Sequence, residues 1–342
     1  MMARTRYFVV ASLLVLSVGV GTGLVAYYVG FPAGAFSRRG GPDELELVPR
    51  DVAVLAFVNV QEVMASELRQ KLHKALPFQE NGQREFQDHT GINIETDVDR
   101  IVACLNPDGA SGSGVGGGMV LARGRFDEVK IESLMREHGA QVEQYKGTRL
   151  VVAQAGDHPK SFAVAFVEPG LVAVGSTNII HSALDLHHSG ASPQTGAASV
   201  TGNEDLMNLV RSLDSGNAWA VGRFDLLMAH ARLPQGVTNQ LPPITWFAVS
   251  GHVNGGLRGT VRAETRDEES ANNLRDVMRG FMALAKLQGG SRPEIQTMLQ
   301  SLELGGSGKT VALSFSVPAE VFDAAAAMMP KRTPRFPAER ER

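Results

Sequence analysis

Four side chains that can bind a metal ion or move a proton fall within eight residues of this sequence (HSALDLHH). They are His181, Asp185, His187 and His188. On a helix, His181 and His188 lie two turns apart on one face with Asp185 between them, which is the arrangement of half a metal site. A metal site needs further ligands, and the sequence supplies none at a matching spacing. We therefore interpret the group as the polar end of a helix, where histidines interact well with the helix dipole.

Two glycine-rich stretches could cradle a phosphate group, and both depart from the patterns that do so. Residues 305–310 (GGSGKT) resemble the end of a phosphate-binding loop, but Glu303 stands where that loop needs its first glycine. A β-rich run follows where a helix is needed, so we predict a hairpin turn. Residues 109–118 (GASGSGVGGG) lack the G-x-G-x-x-G order and are predicted to be a mobile loop between two strands, with a ligand-covering loop as the alternative.

The remaining candidates for chemistry are isolated. Cys104 lies in an apolar run (IVACL), which is typical of a buried cysteine that acts as a small hydrophobe. His138 precedes Gly139 and is interpreted as another helix end. No G-x-S-x-G, H-E-x-x-H or paired-aspartate motif occurs. The sequence therefore predicts no catalytic, cofactor-binding or metal-binding residue.

Length and composition set the protein class. The chain has 342 residues, which is enough for two domains or one large one, and a content of 43% apolar and 20% charged residues excludes general disorder. The net charge of −3 provides no bulk positive field for nucleic acid. A single cysteine excludes an intrachain disulfide framework and a cysteine-cluster metal site.

The strongest signal in the chain lies near its N-terminus. Residues 7–29, from Tyr7 to Val29, carry no charge. As a helix they would be roughly 34 Å long, enough to cross a hydrocarbon core of about 30 Å. Tyr7 at one end and Tyr27 and Tyr28 at the other lie where aromatic side chains favour the headgroup region. The sequence therefore predicts one transmembrane helix that binds the lipid bilayer.

The flanking charges predict how this helix is oriented. Arg4 and Arg6 lie directly before it, so the positive-inside rule places residues 1–6 in the cytoplasm. The bulk of the chain is then periplasmic or extracellular. A cleaved signal peptide is the alternative, because residues 33–35 (Ala-Gly-Ala) would serve as a cleavage site near Ala35.

Strands and helices alternate after a linker at residues 30–50. On the long helix predicted for 267–287, five apolar side chains share one stripe, namely Leu274, Val277, Met278, Phe281 and Leu284. The predicted strands are 52–60, 101–105, 119–126, 150–154, 162–167, 171–174, 218–224, 246–253, 257–264, 302–304 and 310–317, and the predicted helices are 61–76, 128–137, 178–187, 226–231, 267–287 and 319–328.

This order predicts an internal duplication. Two strands followed by a helix recur four times, and the opening strand and helix near residue 52 recur near 218. We predict an α+β fold: one N-terminal transmembrane helix followed by two tandem repeats of largely antiparallel sheets with helices packed on one face. The first repeat spans 51–190 and the second 203–329. The tail at 330–342 is predicted to be disordered.

A basic N-terminus, one membrane span and repeated short α/β units resemble the layout of bacterial membrane-anchored extracytoplasmic proteins with tandem α/β repeats. The resemblance covers most of the chain by architecture, and no single motif defines it. It therefore implies a location and a general architecture, and no site residues.

Three function classes remain open from the sequence. The favoured one is a membrane-anchored, non-catalytic scaffold or binding module. The alternatives are a ligand sensor or carrier with its site between the two repeats, and a hydrolase whose residues the sequence does not pair. A homodimer through Gly19 and Gly23 of the predicted span is a further candidate interaction, because small residues let two helices approach closely.

Overall fold

The computed structural model describes residues 42–75, 87, 91–106, 117–154, 161–190, 198–226, 243–288 and 293–322. The predicted transmembrane helix at 7–29, the Gly19 and Gly23 pair and the tail at 330–342 lie outside the described residues. So does most of the glycine-rich stretch at 109–118. Within the described part, no helix is both long enough and apolar enough to span a bilayer.

The described strands form one antiparallel sheet, and with one exception, Gln141–Tyr145, their bounds agree closely with the predicted runs. They are β1 Val54–Asn59, β2 Val98–Leu105, β3 Gly118–Gly124, β4 Gln141–Tyr145, β5 Thr148–Gln154, β6 Ser161–Glu168, β7 Leu171–Ser176, β8 Ala218–Arg223, β9 Ile244–Val253, β10 Gly256–Thr265, β11 Glu303–Gly305 and β12 Thr310–Pro318. Their order across the sheet is β11-β12-β10-β9-β8-β1-β2-β3-β7-β6-β5-β4.

Helices connect and cover these strands. They are α1 Val60–Ala65, α2 Glu67–Ala75, α3 Ile94–Asp97, α4 Glu128–Glu137, α5 Thr177–Ser189, α6 Glu204–Arg211, α7 Glu268–Gln288 and α8 Pro293–Gln300, with short 3-10 helices at Asp43–Leu47 and Val200–Gly202. Residues 319–322 begin a further helix.

The two predicted repeats meet in the middle of the sheet, where β1 pairs with β8. From this pair outward, one arm reads β1-β2-β3-β7-β6 and the other β8-β9-β10-β12-β11. The hairpin of β4 and β5 extends the first arm. The described strands of the two predicted repeats, 51–190 and 203–329, are therefore joined in one sheet where the sequence predicted separate ones.

Apolar side chains lie on both faces of this sheet. Leu55 projects to one face, here called the Leu55 face, where Leu184 of α5 and Leu206 of α6 pack against the strands. Val58 projects to the opposite face, here called the Val58 face, where Val63 of α1 packs.

The prediction that helices cover one face only is therefore wrong. In the first arm the strands are apolar on both sides, so each side has to be covered to bury that surface. On the Val58 face of β5 to β7, Ile131 and Met135 of α4 pack beside Val151 and Phe166.

Helix α7 belongs to the Val58 face. Its residues Ala271 and Leu274 pack on Val311 of β12 together with Ala263 of β10. Ala263 pairs with Phe247 of β9, which the strand alternation places on the Val58 face.

Several elements differ from the predictions for identifiable reasons. The single helix predicted for 61–76 is broken at Ser66, whose backbone is extended and whose hydroxyl accepts the N–H of Arg69 at the start of α2. Strand β4 (QVEQY) was missed because it lies at the sheet edge with mostly exposed residues and has no apolar alternation. Helices α3, α6 and α8 were also missed, and α6 begins one residue into the predicted second repeat.

Candidate functional site

The leading segment, residues 42–50, is held on the Leu55 face by a buried carboxylate. Glu44 is 1% exposed, and both of its oxygens lie 3.0 Å from Nε of Arg100 on β2. Nε of Arg123 on β3 donates to Oε1 of Glu44 at 2.7 Å. Arg123 also contacts Glu168 at 2.7 Å, so the four side chains form one charged network.

The network sets the ionisation of Glu44. Burial raises the pKa of the Glu44 carboxyl, but hydrogen bonds from Arg100 and Arg123 lower it by more, so the pKa lies below its ordinary value. Glu44 is therefore an ionised acceptor at neutral pH. This arrangement fixes a segment in place, since the carboxylate is already saturated by its two arginines.

Backbone contacts complete the attachment of the leading segment. The N–H of Val200 donates to the carbonyl of Val48, and the N–H of Arg50 donates to the carbonyl of Ala198. The Asn203 side chain donates to the carbonyl of Arg50 at 3.0 Å and also caps α6. Residues 198–203, where the second repeat is predicted to begin, thus bind the segment that leads into the first repeat.

The histidine-rich helix was predicted correctly and is α5. Its side chains Asp185 and His181 contact neighbouring side chains at the protein surface. Asp185 Oδ1 accepts a hydrogen bond from the Tyr145 hydroxyl at 3.0 Å and lies 2.6 Å from Nζ of Lys146. The His181 ring stacks on Tyr145 with centroids 4.0 Å apart. Nδ1 of His188 lies 2.7 Å from the carbonyl oxygen of Leu184.

These contacts leave no metal site among the described residues, where no group of three or more His, Cys, Asp or Glu side chains converges. The hydrogen bond from Lys146 holds the pKa of Asp185 below its ordinary value. The same carboxylate raises the pKa values of Tyr145 and Lys146. The cluster is a surface ion pair with a stacked ring, located where α5 meets the turn between β4 and β5.

The GGSGKT stretch forms the predicted hairpin turn between β11 and β12. Gly306 and Gly308 have φ values of +94° and +55°, which favour glycine. A Cβ on Gly306 would lie 2.3 Å from the carbonyl oxygen of Thr310, so the turn has no room for a side chain there. The strand that follows presents no helix N-terminus to a phosphate.

Cys104 lies in the core, as predicted. It belongs to the cluster on the Leu55 face, and burial raises the pKa of its thiol to about 12. A nucleophilic cysteine needs a thiolate at neutral pH, so this side chain acts as a packing group.

Cys104 should therefore resist alkylation while the protein is folded. At pH 8 we expect iodoacetamide to label it at least about a thousandfold more slowly than an ordinary thiol of pKa about 8.5, because so little thiolate is present. Mass spectrometry of timed samples measures the rate. The same protein in concentrated urea is the control and should label at the ordinary rate, whereas rapid labelling without urea would contradict the buried position.

The junction between the two arms is filled with side chains. Phe57 of β1 stacks on Trp219 of β8 with centroids 5.7 Å apart, and Leu206 and Met207 of α6 are buried in the same cluster. The ligand site expected there for a sensor or carrier gains no support from this packing.

The apolar stripe predicted for the long helix is covered by the sheet along only part of α7. Leu274 and Met278 pack toward the sheet. Four other side chains, here called the α7 stripe, are exposed: Val277 (38%), Phe281 (50%), Leu284 (38%) and Leu287 (84%). Three of them, Val277, Phe281 and Leu284, were predicted to share one stripe with Leu274 and Met278. Together they form the largest group of exposed apolar side chains among the described residues.

The sequence matches no family model and no curated protein. Among solved structures, the chain is similar to crystal form I of TP0453, with a TM-score of 0.45 and 9% sequence identity. The match covers 84% of this chain and 98% of that chain.

Proposed function

We propose that this protein is a single-pass membrane-anchored protein whose bulk lies outside the cytoplasm and acts as a non-catalytic scaffold or binding module. The anchor rests on residues 7–29 and the basic residues before them. The non-catalytic role is supported by one observation on the described residues: two of the candidates for chemistry have structural roles. Cys104 is a core thiol, and Asp185 is held by Tyr145 and Lys146.

The anchor is tested by fractionating cells that express the full chain with a C-terminal tag. We expect the protein to stay in the membrane pellet after an alkaline carbonate wash, and protease added outside the inner membrane to digest the tag. A double variant, Leu16→Arg with Val18→Arg, should abolish retention, because each charge near the centre of a span costs about 2.5–3.5 kcal/mol. Phe31→Arg, outside the span, is the matched control.

Two results would contradict the proposal. A mature chain that begins near Ala35 and fractionates as a soluble protein would replace the anchor with a cleaved signal peptide. A purified protein that turns over a substrate would remove the non-catalytic role. Crosslinking in intact cells followed by mass spectrometry then identifies what the exported part contacts.

A further inference from the structure

Strand β4 is an open edge of the sheet. It pairs with β5 on one side and with no described strand on the other, and residues 141–144 are all exposed. The opposite edge is shorter and partly closed. There β11 has three residues, and the Ser301 hydroxyl donates to the carbonyl of Ser316 on β12 and accepts the N–H of the same residue. An unpaired edge strand is where a sheet accepts a further strand, so β4 is the better candidate for such a contact.

The turn after β4 determines which backbone groups of this edge are available. Residues 146–147 have φ values of +47° and +85°, which is typical of a two-residue hairpin turn. Tyr145 and Thr148 flank the turn and face each other, so they exchange backbone hydrogen bonds. Because this direction alternates along a strand, Val142 and Gln144 direct their N–H and C=O groups away from β5. These four outward groups have the spacing that an extended chain matches.

A charged side chain lies at the centre of this edge. Glu143 faces Leu150 of β5 and therefore projects on the Leu55 face. Glu143 is exposed and forms no ion pair among the described residues, whereas Lys146 pairs with Asp185. A strand added to β4 would place one residue directly opposite Glu143, with Cβ atoms about 4.5–5.5 Å apart. An opposite charge at that position favours pairing, and a like charge opposes it.

A second copy of this chain is a poor partner for the edge. Antiparallel pairing of two β4 strands about Glu143 would join Val142 of each copy to Gln144 of the other, and it would use all the outward groups. The same register places two Glu143 carboxylates directly opposite each other, which is destabilising. Sliding the copies one way pairs fewer groups, because the N–H of Ala140 already donates to the carbonyl of Met135, and sliding them the other way reaches the turn.

We propose that β4 binds an extended segment of another protein by strand addition, and that Glu143 selects a segment with lysine or arginine opposite it. The outward backbone groups of Val142 and Gln144 provide the attachment, and the charge of Glu143 provides the choice of partner. On the Val58 face, the exposed Val142 favours an apolar residue beside the basic one. This gives the binding module a binding site, a step that rests on the proposed function.

The test uses this chain as the probe, because Glu143→Lys gives β4 the basic residue that the proposal requires. The full wild-type chain with an affinity tag is purified in mild detergent and mixed with untagged wild type or with untagged Glu143→Lys. We expect at least about tenfold more capture of the variant, and less capture in concentrated salt. Hydrogen exchange of residues 141–145 should slow in the mixture that pairs. Any contact through residues 7–29 is common to both mixtures.

Further variants show where and how the two chains meet. Glu137→Lys makes the same charge change at an exposed position of α4, and it should not increase capture. Adding Gln144→Pro to the Glu143→Lys chain removes one outward N–H without breaking a bond to β5, so capture should be lost. Adding Gln144→Thr keeps that N–H and should preserve capture. Circular dichroism checks that each variant is folded.

Three results would overturn the inference. No capture of the folded Glu143→Lys chain would show that β4 does not accept a strand. Equal capture of wild type and variant would remove Glu143 from the choice of partner. Capture that survives Gln144→Pro would place the contact elsewhere. A chain that pairs as expected but turns over a substrate, or fractionates as a soluble protein, supports the edge contact and contradicts the proposed function alone.

Discussion

Replacing Glu44 with glutamine is expected to lower the free energy of unfolding by about 3 kcal/mol. The substitution keeps the shape of the side chain but removes the negative charge that faces Arg100 and Arg123. Two guanidinium groups would then lie close together over the sheet without the carboxylate that compensates them. Urea denaturation followed by circular dichroism measures the loss.

Glu168→Gln is the matched control, because Glu168 also contacts Arg123 but is 41% exposed. An exposed ion pair contributes about 1 kcal/mol or less, so this variant should be nearly as stable as the parent protein. Equal effects of the two substitutions would show that burial of Glu44 contributes nothing.

The contact of Glu44 with its two arginines also predicts how the free energy of unfolding changes at acid pH. The folded protein lowers the pKa of Glu44, whereas the unfolded chain restores a value of about 4.3. The ionised contact therefore stabilises the fold fully above that unfolded value, and the stabilisation is lost as the pH falls through the lower folded pKa. The stability of the Glu44→Gln variant should fall less steeply in this acid range, and parallel curves would contradict the assignment.

Replacing Trp219 with alanine is expected to destabilise both arms of the sheet together, by about 3–5 kcal/mol. Trp219 is 3% exposed and stacks on Phe57 across the β1 and β8 pair. Strand β1 begins one arm and β8 begins the other. The cavity left by the indole therefore weakens the strand pairing at the start of both arms. Hydrogen exchange read by mass spectrometry should show faster exchange in β2 and β3 as well as in β9 and β10.

Two further variants sharpen this experiment. Trp246→Ala removes an indole that is only partly buried, and it should cost less. Trp219→Phe keeps a ring against Phe57 and removes Nε1, which has no hydrogen-bond partner among the described residues, so it should be milder than the alanine variant. Faster exchange confined to residues 203–322 would show that the arms unfold independently.

The elements that sequence analysis predicted well are those that local pattern determines. The strands predicted at 246–253 and 257–264 and the helix predicted at 128–137 are present as β9, β10 and α4. The turn at Gly170, with φ of +78°, was readable from Glu168-Pro169-Gly170. The internal duplication stays a prediction, which the matching strand order of the two arms supports.

What sequence analysis missed depends on contacts between distant segments. Glu44 and Arg100 are 56 residues apart, and no local pattern brings them together. Both Leu274 and Phe281 fit an apolar stripe, but only the packing of α7 on β10 and β12 decides which is covered. The antiparallel sheet could be predicted from short strands and tight turns, whereas the joining of two arms through β1 and β8 could not.

The position of the leading segment also determines how the protein responds to mechanical tension. Glu44 lies two residues after Pro42, and β1 comes later, held between β2 and β8 along its length. A pulling force on the N-terminal side of Pro42 therefore acts first on the two arginine contacts of Glu44. We expect those contacts, and then the hydrogen bonds of Val48 and Arg50 to residues 198–200, to break before any strand pairing of the sheet carries the load.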